Sequence, residues 1–257
     1  MKEVKVLPDQ NSLASSAVAF IIQIGTSAIE QHGRFLFVLA GGSTPKSVYS
    51  LLGSLPQSRQ LDWRQVHIFW GDERCVPPDH PDSNYRMAKE SLLDSVHLPR
   101  QNIHRIPAEM SPELGSDRYQ ARIRSLFSDS DQLQNGFPVF DLILLGIGDD
   151  GHTASLFPCS TALHEEHSWV IPVSHQEPPP PLVDRITLTL PVINAAAHVA
   201  FLVSGESKAQ PLSRVLTNGK KSQRPLPAAL VQPHSGNLTW FVDQPASMLW
   251  DKRAGSS

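Results

Sequence analysis

Short runs of apolar side chains recur along this chain, and each run is followed by a turn that contains glycine. The runs lie at 35–40, 66–70, 140–145 and 199–203. Continuous apolar runs of this length are typical of parallel strands that are buried on both faces of a sheet. Segments with helical spacing of apolar residues, such as 13–28, lie between the runs. This alternation predicts an α/β fold with one doubly wound, mostly parallel sheet and helices on both of its faces.

Strands and helices alternate along the rest of the chain. Further strands are expected at 169–173 and 186–190, and helices are expected at 83–96 and 117–127. No linker and no internal repeat divides the sequence. We therefore expect residues 1–257 to form a single domain.

The composition favours chemistry on a small molecule. The net charge of −3 gives no global attraction to nucleic acids or acidic membranes, so neither is an expected partner. Cys75 and Cys159 match no metal-binding spacing and favour a reducing, cytoplasmic setting. The first ten residues contain no signal-peptide core, and no apolar run approaches the ~20 residues that span a bilayer.

The turn at 146–158, with the sequence GIGDDGHTASLFP, carries the clearest functional signal. It follows an apolar run and places Asp149 and Asp150 close to His152. Ligands of α/β proteins bind outside the carboxyl ends of the strands. A carboxylate near an imidazole favours the tautomer that accepts a proton. The pattern therefore predicts a general base at His152; the alternative is a histidine that only caps a helix beginning near Thr153.

A second turn suits an anion such as phosphate. Gly41 and Gly42 allow close approach to the backbone, and the hydroxyls of Ser43 and Thr44 add donors. The N-terminus of the following helix, with Thr44 as the expected N-cap, also favours negative charge. A tight turn with an ordinary helix cap fits the same residues equally well.

Charged side chains follow or precede three other strands. Asp72 and Arg74 come directly after the run at 66–70, where they would orient a polar ligand and hold an oxyanion. Charge pattern alone favours a solvated ion pair there. Arg185 precedes one expected strand and Lys208 follows another, so each is a candidate phosphate ligand or an ordinary surface charge.

Taken together, these segments resemble the 6-phosphogluconolactonase family. The matching segments, in the family's order, are AGGSTP at 40–45, GDERCVPPDHPDSNY at 71–85, GIGDDGHTASLFP at 146–158, RITLTLPVINAA at 185–196, GESKA at 205–209 and LPAALVQP at 226–233. The related glucosamine-6-phosphate deaminases share the glycine-rich turn but usually continue into a Phe-Asn-Glu-Pro segment. They generally have a tyrosine where this chain has Arg74. The continuation at 153–158 follows the lactonase pattern.

The resemblance implies a Rossmann-like sheet and hydrolysis of 6-phospho-D-glucono-1,5-lactone to 6-phosphogluconate in the oxidative pentose phosphate pathway. No metal or organic cofactor is expected. His152 would act as general base, and Asp150 and Asp72 would hold the imidazole, the water or sugar hydroxyls. Arg74, or backbone N–H groups of the turn at 146–151, would stabilise the oxyanion.

The remaining candidates would bind the 6-phosphate; they are Gly41, Gly42, Ser43, Thr44, Arg185 and Lys208. Two rival functions use the same fold. One is an isomerase or deaminase acting on glucosamine 6-phosphate, and the other is a sugar-phosphate sensor without catalysis. The oligomeric state stays open.

Overall fold

A parallel sheet forms the centre of the molecule in the computed structural model, which describes residues 2–127, 132–217 and 224–250. The strands of the described residues are, in chain order, β1 (Lys2–Leu7), β2 (Phe35–Leu39), β3 (Val66–Trp70), β4 (Asp72–Arg74), β5 (Ile103–His104), β6 (Leu133–Gln134), β7 (Phe137–Pro138), β8 (Leu142–Leu145), β9 (Val170–Val173), β10 (Arg185–Leu188), β11 (His198–Val203) and β12 (Asn237–Asp243).

Helices surround the sheet. The α-helices of the described residues are α1 (Gln10–His32), α2 (Ser43–Gly53), α3 (Asn84–Ser91), α4 (Pro112–Leu126), α5 (Leu190–Ala195), α6 (Ala209–Thr217), α7 (Pro227–Leu230) and α8 (Gln244–Ser247). Short 3₁₀ turns lie at Gln57–Gln60, Trp63–Gln65, Leu93–Ser95, Arg100–Asn102, Thr161–His164 and Glu206–Lys208.

The strand order explains where a ligand can bind. Seven strands pair in parallel in the order β1-β12-β11-β8-β2-β3-β5. From β2 the chain first adds β3 and β5 on one side, and then β8, β11 and β12 on the other. The order therefore reverses between β2 and β8, where the turns that follow the two strands diverge and leave a crevice. The predicted α/β fold class is confirmed.

The expectation of one continuous sheet is wrong for two strands. β9 and β10 are antiparallel and join β4 in a separate three-stranded sheet, in which Arg185 pairs with Arg74 and Leu188 with Val170. An apolar run shows that a strand is buried but does not show its partners. Tertiary contacts therefore decided this pairing.

Several helix boundaries also differ from the sequence expectation. Gly42, at a φ of 110° in the left-handed region, is the N-cap of α2, so the helix begins at Ser43 and the predicted Thr44 cap is wrong. The helix expected at 83–96 stops at Ser91 and is followed by a 3₁₀ turn. The helix expected at 117–127 begins earlier, because Ser111 caps it by accepting a hydrogen bond from a backbone N–H.

Helix α1 is long and apolar enough to cross a membrane, which no other helix of the described residues is. The expectation that no such segment exists overlooked it because polar residues interrupt its apolar positions. Its buried side chains are Leu13, Ala14, Ala17, Val18, Ile21, Gly25 and Ala28. They pack against the sheet and against α2, as in the core helix of a globular domain. The ends of the predicted 1–257 domain lie outside the described residues, and the single domain stays a prediction.

Candidate active site

A cleft of about 190 Å³ lies at the reversal of the strand order. Its walls come from the turns that follow β2, β3 and β8, together with Lys208 after β11. Four segments that are far apart in sequence therefore meet at the carboxyl ends of neighbouring strands. His152, Asp72, Arg74, Gly41, Gly42 and Lys208, all predicted from the sequence, line this cleft.

His152 is held by the carboxylate of Asp150. The distance between Nδ1 of His152 and Oδ1 of Asp150 is 2.6 Å, and the backbone N–H of His152 donates to the same oxygen at 3.0 Å. Burial opposes ionisation of Asp150, but the hydrogen bonds from His152 outweigh it and lower the pKa of this carboxyl. A carboxylate accepts hydrogen bonds but does not donate them. In the neutral imidazole, Nδ1 of His152 therefore carries the proton and Nε2 keeps a free lone pair.

The turn around His152 is stabilised by its own backbone. The N–H of Gly148 donates to the carbonyl of His152 at 2.8 Å, and the N–H of Gly151 donates to the carbonyl of Gly148 at 2.9 Å. Thr153 pairs with Leu156 in an isolated β-bridge, so no helix begins there. The alternative reading of His152 as a helix cap is therefore wrong.

Gly148 leaves the space that the His152–Asp150 pair occupies. A Cβ atom at this position would overlap Nδ1 and Cε1 of His152 and would lie 2.7 Å from Oδ1 of Asp150. Any larger residue must displace one or both side chains. Glycine at position 148 therefore allows His152 and Asp150 to occupy these positions.

Asp72 is held in the cleft wall by two side chains to which sequence reasoning assigned no role. Ser155 donates from Oγ to Oδ2 of Asp72 at 2.7 Å. Asn84 donates from Nδ2 to the backbone carbonyl of Asp72 at 3.0 Å and to Oδ1 at 3.3 Å. A Cβ on Gly41 would overlap the Asn84 amide, which explains the small residue there. Both polar residues lie within the family-like segments, and that was the one signal that could have found them.

Glu73, next to Asp72, has a structural role. Its buried carboxylate accepts from the backbone N–H groups of Arg74, Asn84 and Tyr85, all at 2.8 Å, and from Oγ of Ser83 at 3.0 Å. Burial raises the pKa of Glu73, while these N–H groups oppose the rise. The carboxylate thus fastens the start of α3 to β4.

Two cations of the described residues reach the cleft. Arg74 donates from Nη1 to the carbonyl of Asp82 at 2.6 Å, and its Nε is buried without a hydrogen-bond partner among the described residues. Nζ of Lys208 lies 2.6 Å from Oδ1 of Asp149, which is on the same turn as His152. Lys208 therefore bridges the turns that follow β8 and β11.

Comparisons with known proteins show the family to which this chain belongs. The family model described as "Glucosamine-6-phosphate isomerases/6-phosphogluconolactonase" matches residues 8–240. The chain belongs to this family. It is 42% identical to the 6-phosphogluconolactonase of Synechocystis sp., covering 95% of this chain and 96% of that protein. It is 40% identical to the 6-phosphogluconolactonase of Nostoc sp., covering 95% and 97% respectively.

A solved structure shares both the fold and most of the length. The 6-phosphogluconolactonase of Trypanosoma brucei matches with a TM-score of 0.84 and 29% identity, over 96% of this chain and 98% of that one. The family resemblance and the Rossmann-like fold predicted from the sequence motifs are thus confirmed.

Four predicted residues of this family member lie outside the cleft lining, and one of them, Asp150, adjoins it through its contact with His152. The other three are Ser43, Thr44 and Arg185. Ser43 and Thr44 form the first turn of α2. Arg185 is buried and donates from Nη2 to the carbonyl of Pro181 at 2.8 Å and from Nε to that of Val183 at 3.0 Å. Their roles in phosphate binding stay predictions. No cluster of three or more His, Cys, Asp or Glu side chains within residues 2–127, 132–217 and 224–250 is arranged to hold a metal ion.

Proposed function

We propose that this cleft hydrolyses 6-phospho-D-glucono-1,5-lactone to 6-phospho-D-gluconate, the second step of the oxidative pentose phosphate pathway. The observation that carries the proposal is the 2.6 Å contact between His152 and Asp150 at the rim of a cleft that also holds two cations. The names of the Synechocystis, Nostoc and Trypanosoma relatives support the same reaction.

His152 acts as general base in this reaction. Nε2 removes a proton from water while the water oxygen forms a bond to C1 of the lactone, and Asp150 stabilises the imidazolium that results. The tetrahedral intermediate then collapses, the bond between C1 and the ring oxygen breaks, and the imidazolium returns its proton to that oxygen. A general base of this kind supplies ~10²–10⁴-fold in rate.

Arg74 is the group assigned to the oxyanion. The N–H groups of Gly148, Gly151 and His152 already donate within the turn, which leaves them committed in the folded protein. Arg74 instead lines the cleft and brings positive charge to it. A guanidinium at this position would stabilise the charge that develops on the carbonyl oxygen.

Lys208 and the N-terminus of α2 bind the 6-phosphate. Lys208 carries the positive charge, and the backbone around Gly41 and Gly42 lines the cleft without side chains that would exclude the anion. This contact is remote from the reacting carbonyl, so its binding energy orients the lactone. In this proposal Asp72, which Ser155 and Asn84 hold by hydrogen bonds, accepts from sugar hydroxyls.

A coupled assay tests this function directly. The lactone is generated in situ from glucose 6-phosphate, and its loss is followed with wild type, with a His152→Ala variant and without protein. We expect wild type to accelerate the loss and His152→Ala to lose at least ~10²-fold of that acceleration. The His152→Ala variant should still bind 6-phosphogluconate, as measured by calorimetry.

Wild-type protein that fails to accelerate opening of the lactone would refute the proposal. Release of ammonia from glucosamine 6-phosphate would then support the deaminase. Binding of sugar phosphates without turnover of either compound would support the sensor.

A cytoplasmic location belongs to the same proposal. Cys75 and Cys159 are both free thiols, which suits a reducing compartment. Cell fractionation tests this location, and recovery of the protein in another compartment would contradict it.

A further inference from the structure

Two aromatic rings lie in a row behind the imidazole of His152. The ring of Phe157 has its centroid 4.8 Å from that of His152, at an interplanar angle of 47°. On its other side, Phe157 stacks on His175 with centroids 4.1 Å apart and an angle of 9°. Phe157 is therefore held between two imidazoles, and one of them is the proposed base.

His175 is fixed from behind. It is buried, and its Nε2 donates to the carbonyl of Pro179 at 2.6 Å. Its backbone N–H donates to Oδ1 of Asp184 at 3.3 Å, and the side chain of Gln176 donates to the same oxygen at 2.9 Å. The ring therefore cannot turn without breaking contacts to the loop that connects β9 to β10.

This loop is in turn anchored to the small sheet beside the cleft. Arg185 donates to the carbonyls of Pro181 and Val183, and the N–H of Cys75 donates to the carbonyl of Asp184 at 2.8 Å. Cys75 directly follows Arg74 of the cleft wall. A continuous set of contacts thus runs from β4 through the proline-rich loop and His175 to Phe157.

The Asp150 contact leaves one property of His152 undetermined. A single hydrogen bond to Nδ1 fixes that atom, but the ring can still tilt about the line that joins Nδ1 to the carboxylate. Proton transfer from water requires the Nε2 lone pair to point at the water. A second contact against the ring is therefore needed to set its plane.

We propose that Phe157 is a positioning residue that sets the plane of the His152 imidazole, and that His175 holds Phe157 against it. This proposal rests on the function proposed above, because it concerns the base of the same reaction. Misplacement of a reacting group lowers kcat more than substrate affinity, since the phosphate contacts that dominate binding stay in place.

The test compares Phe157→Leu with Phe157→Tyr. Leucine removes the ring, and we expect kcat to fall ~10-fold with KM within ~2-fold of wild type. Tyrosine keeps the ring, and Phe157 lines a surface groove. We therefore expect Phe157→Tyr to retain kcat within ~2-fold. His175→Ala, which frees the far side of Phe157, should lower kcat ~3-fold.

A matched control separates positioning from stability. Phe127 is a buried phenylalanine that packs edge-on against Phe140, with centroids 5.2 Å apart, outside the cleft. Phe127→Leu should lower Tm without changing kcat. Equal kcat values for Phe157→Leu and Phe127→Leu would overturn the proposal, and so would a tyrosine variant as slow as the leucine one.

A measurement that needs no substrate tests the role of Phe157 independently of the proposed lactonase function. Proton NMR of the His152 ring reports the ring current of Phe157 whether or not the lactone is the substrate. We expect the Cε1–H and Cδ2–H resonances of His152 to move in Phe157→Leu and to stay near their wild-type positions in Phe157→Tyr. Unmoved resonances in Phe157→Leu would show that Phe157 does not set the ring plane.

Discussion

His152 in the cleft and His104 at the β5 edge of the sheet are both held through Nδ1, but their partners have opposite charge. Nδ1 of His152 donates to the carboxylate of Asp150 at 2.6 Å, and the ring borders the cleft. Nδ1 of His104 accepts from Nε of Arg122 at 3.1 Å, in a buried position. The same side chain is thus paired with an anion in one region and with a cation in the other.

The hydrogen bonds at the β5 edge dictate a neutral ring. Because Arg122 only donates, Nδ1 of His104 must accept, and Nε2 carries the proton that it donates to Nδ1 of His67 at 3.1 Å. Burial, with Arg122 and His67 nearby, lowers the pKa of His104 to about 3. A histidine is therefore available as a base only where its partner stabilises the cation and where water can reach the other nitrogen.

The largest effect is expected from removing the negative charge beside His152. Asp150→Asn should lower kcat by ~10³-fold, because an amide neither stabilises the imidazolium nor selects the same tautomer. Asp149→Asn is the matched control, since that neighbouring carboxylate pairs with Lys208 and does not touch His152. A steady-state assay in which both variants keep similar kcat values would show that the charge of Asp150 is not what makes His152 differ from His104.

The next largest effect follows from the space at Gly148. Gly148→Ala should displace the His152–Asp150 pair and lower kcat ~10²-fold, while Tm changes little because the overlapped atoms belong to side-chain ends. Gly146→Ala is the comparison in the same turn, since it adds a methyl group to the cleft lining without contacting the His152–Asp150 pair. Kinetics and thermal melts should be measured together. A large drop in Tm with unchanged kcat would contradict the expected local effect.

A third prediction concerns the pH dependence of stability at the β5 edge. The pKa of His104 is lowered from 6.5 in the unfolded chain to about 3 in the folded protein, so the unfolded state takes up the proton first on acidification. The contribution of neutral His104 to the free energy of unfolding is therefore complete above pH 6.5 and is lost as the pH falls towards 3. We expect a loss of ~1–2 kcal/mol between pH 6.5 and 4.5.

Urea denaturation at several pH values checks this contribution. His104→Gln keeps an acceptor for Arg122 and a donor for His67 but cannot titrate, so its stability should depend less steeply on pH. Identical slopes for wild type and His104→Gln would show that His104 is not the titrating group.

The smallest effect is expected at the cations. Lys208→Ala should raise KM ~10-fold and leave kcat within ~2-fold, because a phosphate contact acts in both the ground state and the transition state. Arg122→Ala should instead lower the free energy of unfolding, because Nδ1 of His104 would be left buried without its donor. KM should stay unchanged. A Lys208→Ala variant with unchanged KM and a much lower kcat would place Lys208 in the chemical step.

The active-site turn was predictable because its contacts are local. Asp150 and His152 are two residues apart, so the backbone of one turn brings them together, and Gly148 and Gly151 mark that turn in the sequence. Most strands of the parallel sheet were predictable for a related reason. Their double-sided burial requires uninterrupted apolar residues, which a sequence displays directly.

Contacts between distant residues were not predictable in the same way. Ser155 and Asp72 are 83 positions apart, and their hydrogen bond exists because β3 and β8, which precede them, lie on either side of β2 in the sheet. The charge of Arg185 suggested a phosphate ligand or a surface cation, and it did not indicate that Nη2 and Nε donate to the carbonyls of Pro181 and Val183. A charged residue in a sequence does not reveal which acceptor the fold brings to it.

The sequence by itself determined the α/β class, most strands of the parallel sheet and the turn that pairs His152 with Asp150. Each of these depends on neighbouring residues and on local backbone geometry. The tertiary structure alone decided that β4, β9 and β10 form a second sheet, that Asn84 and Ser155 hold Asp72, and that Phe157 and His175 stack behind His152. These features depend on the order of strands and the path of connecting loops, which are settled when the whole core packs.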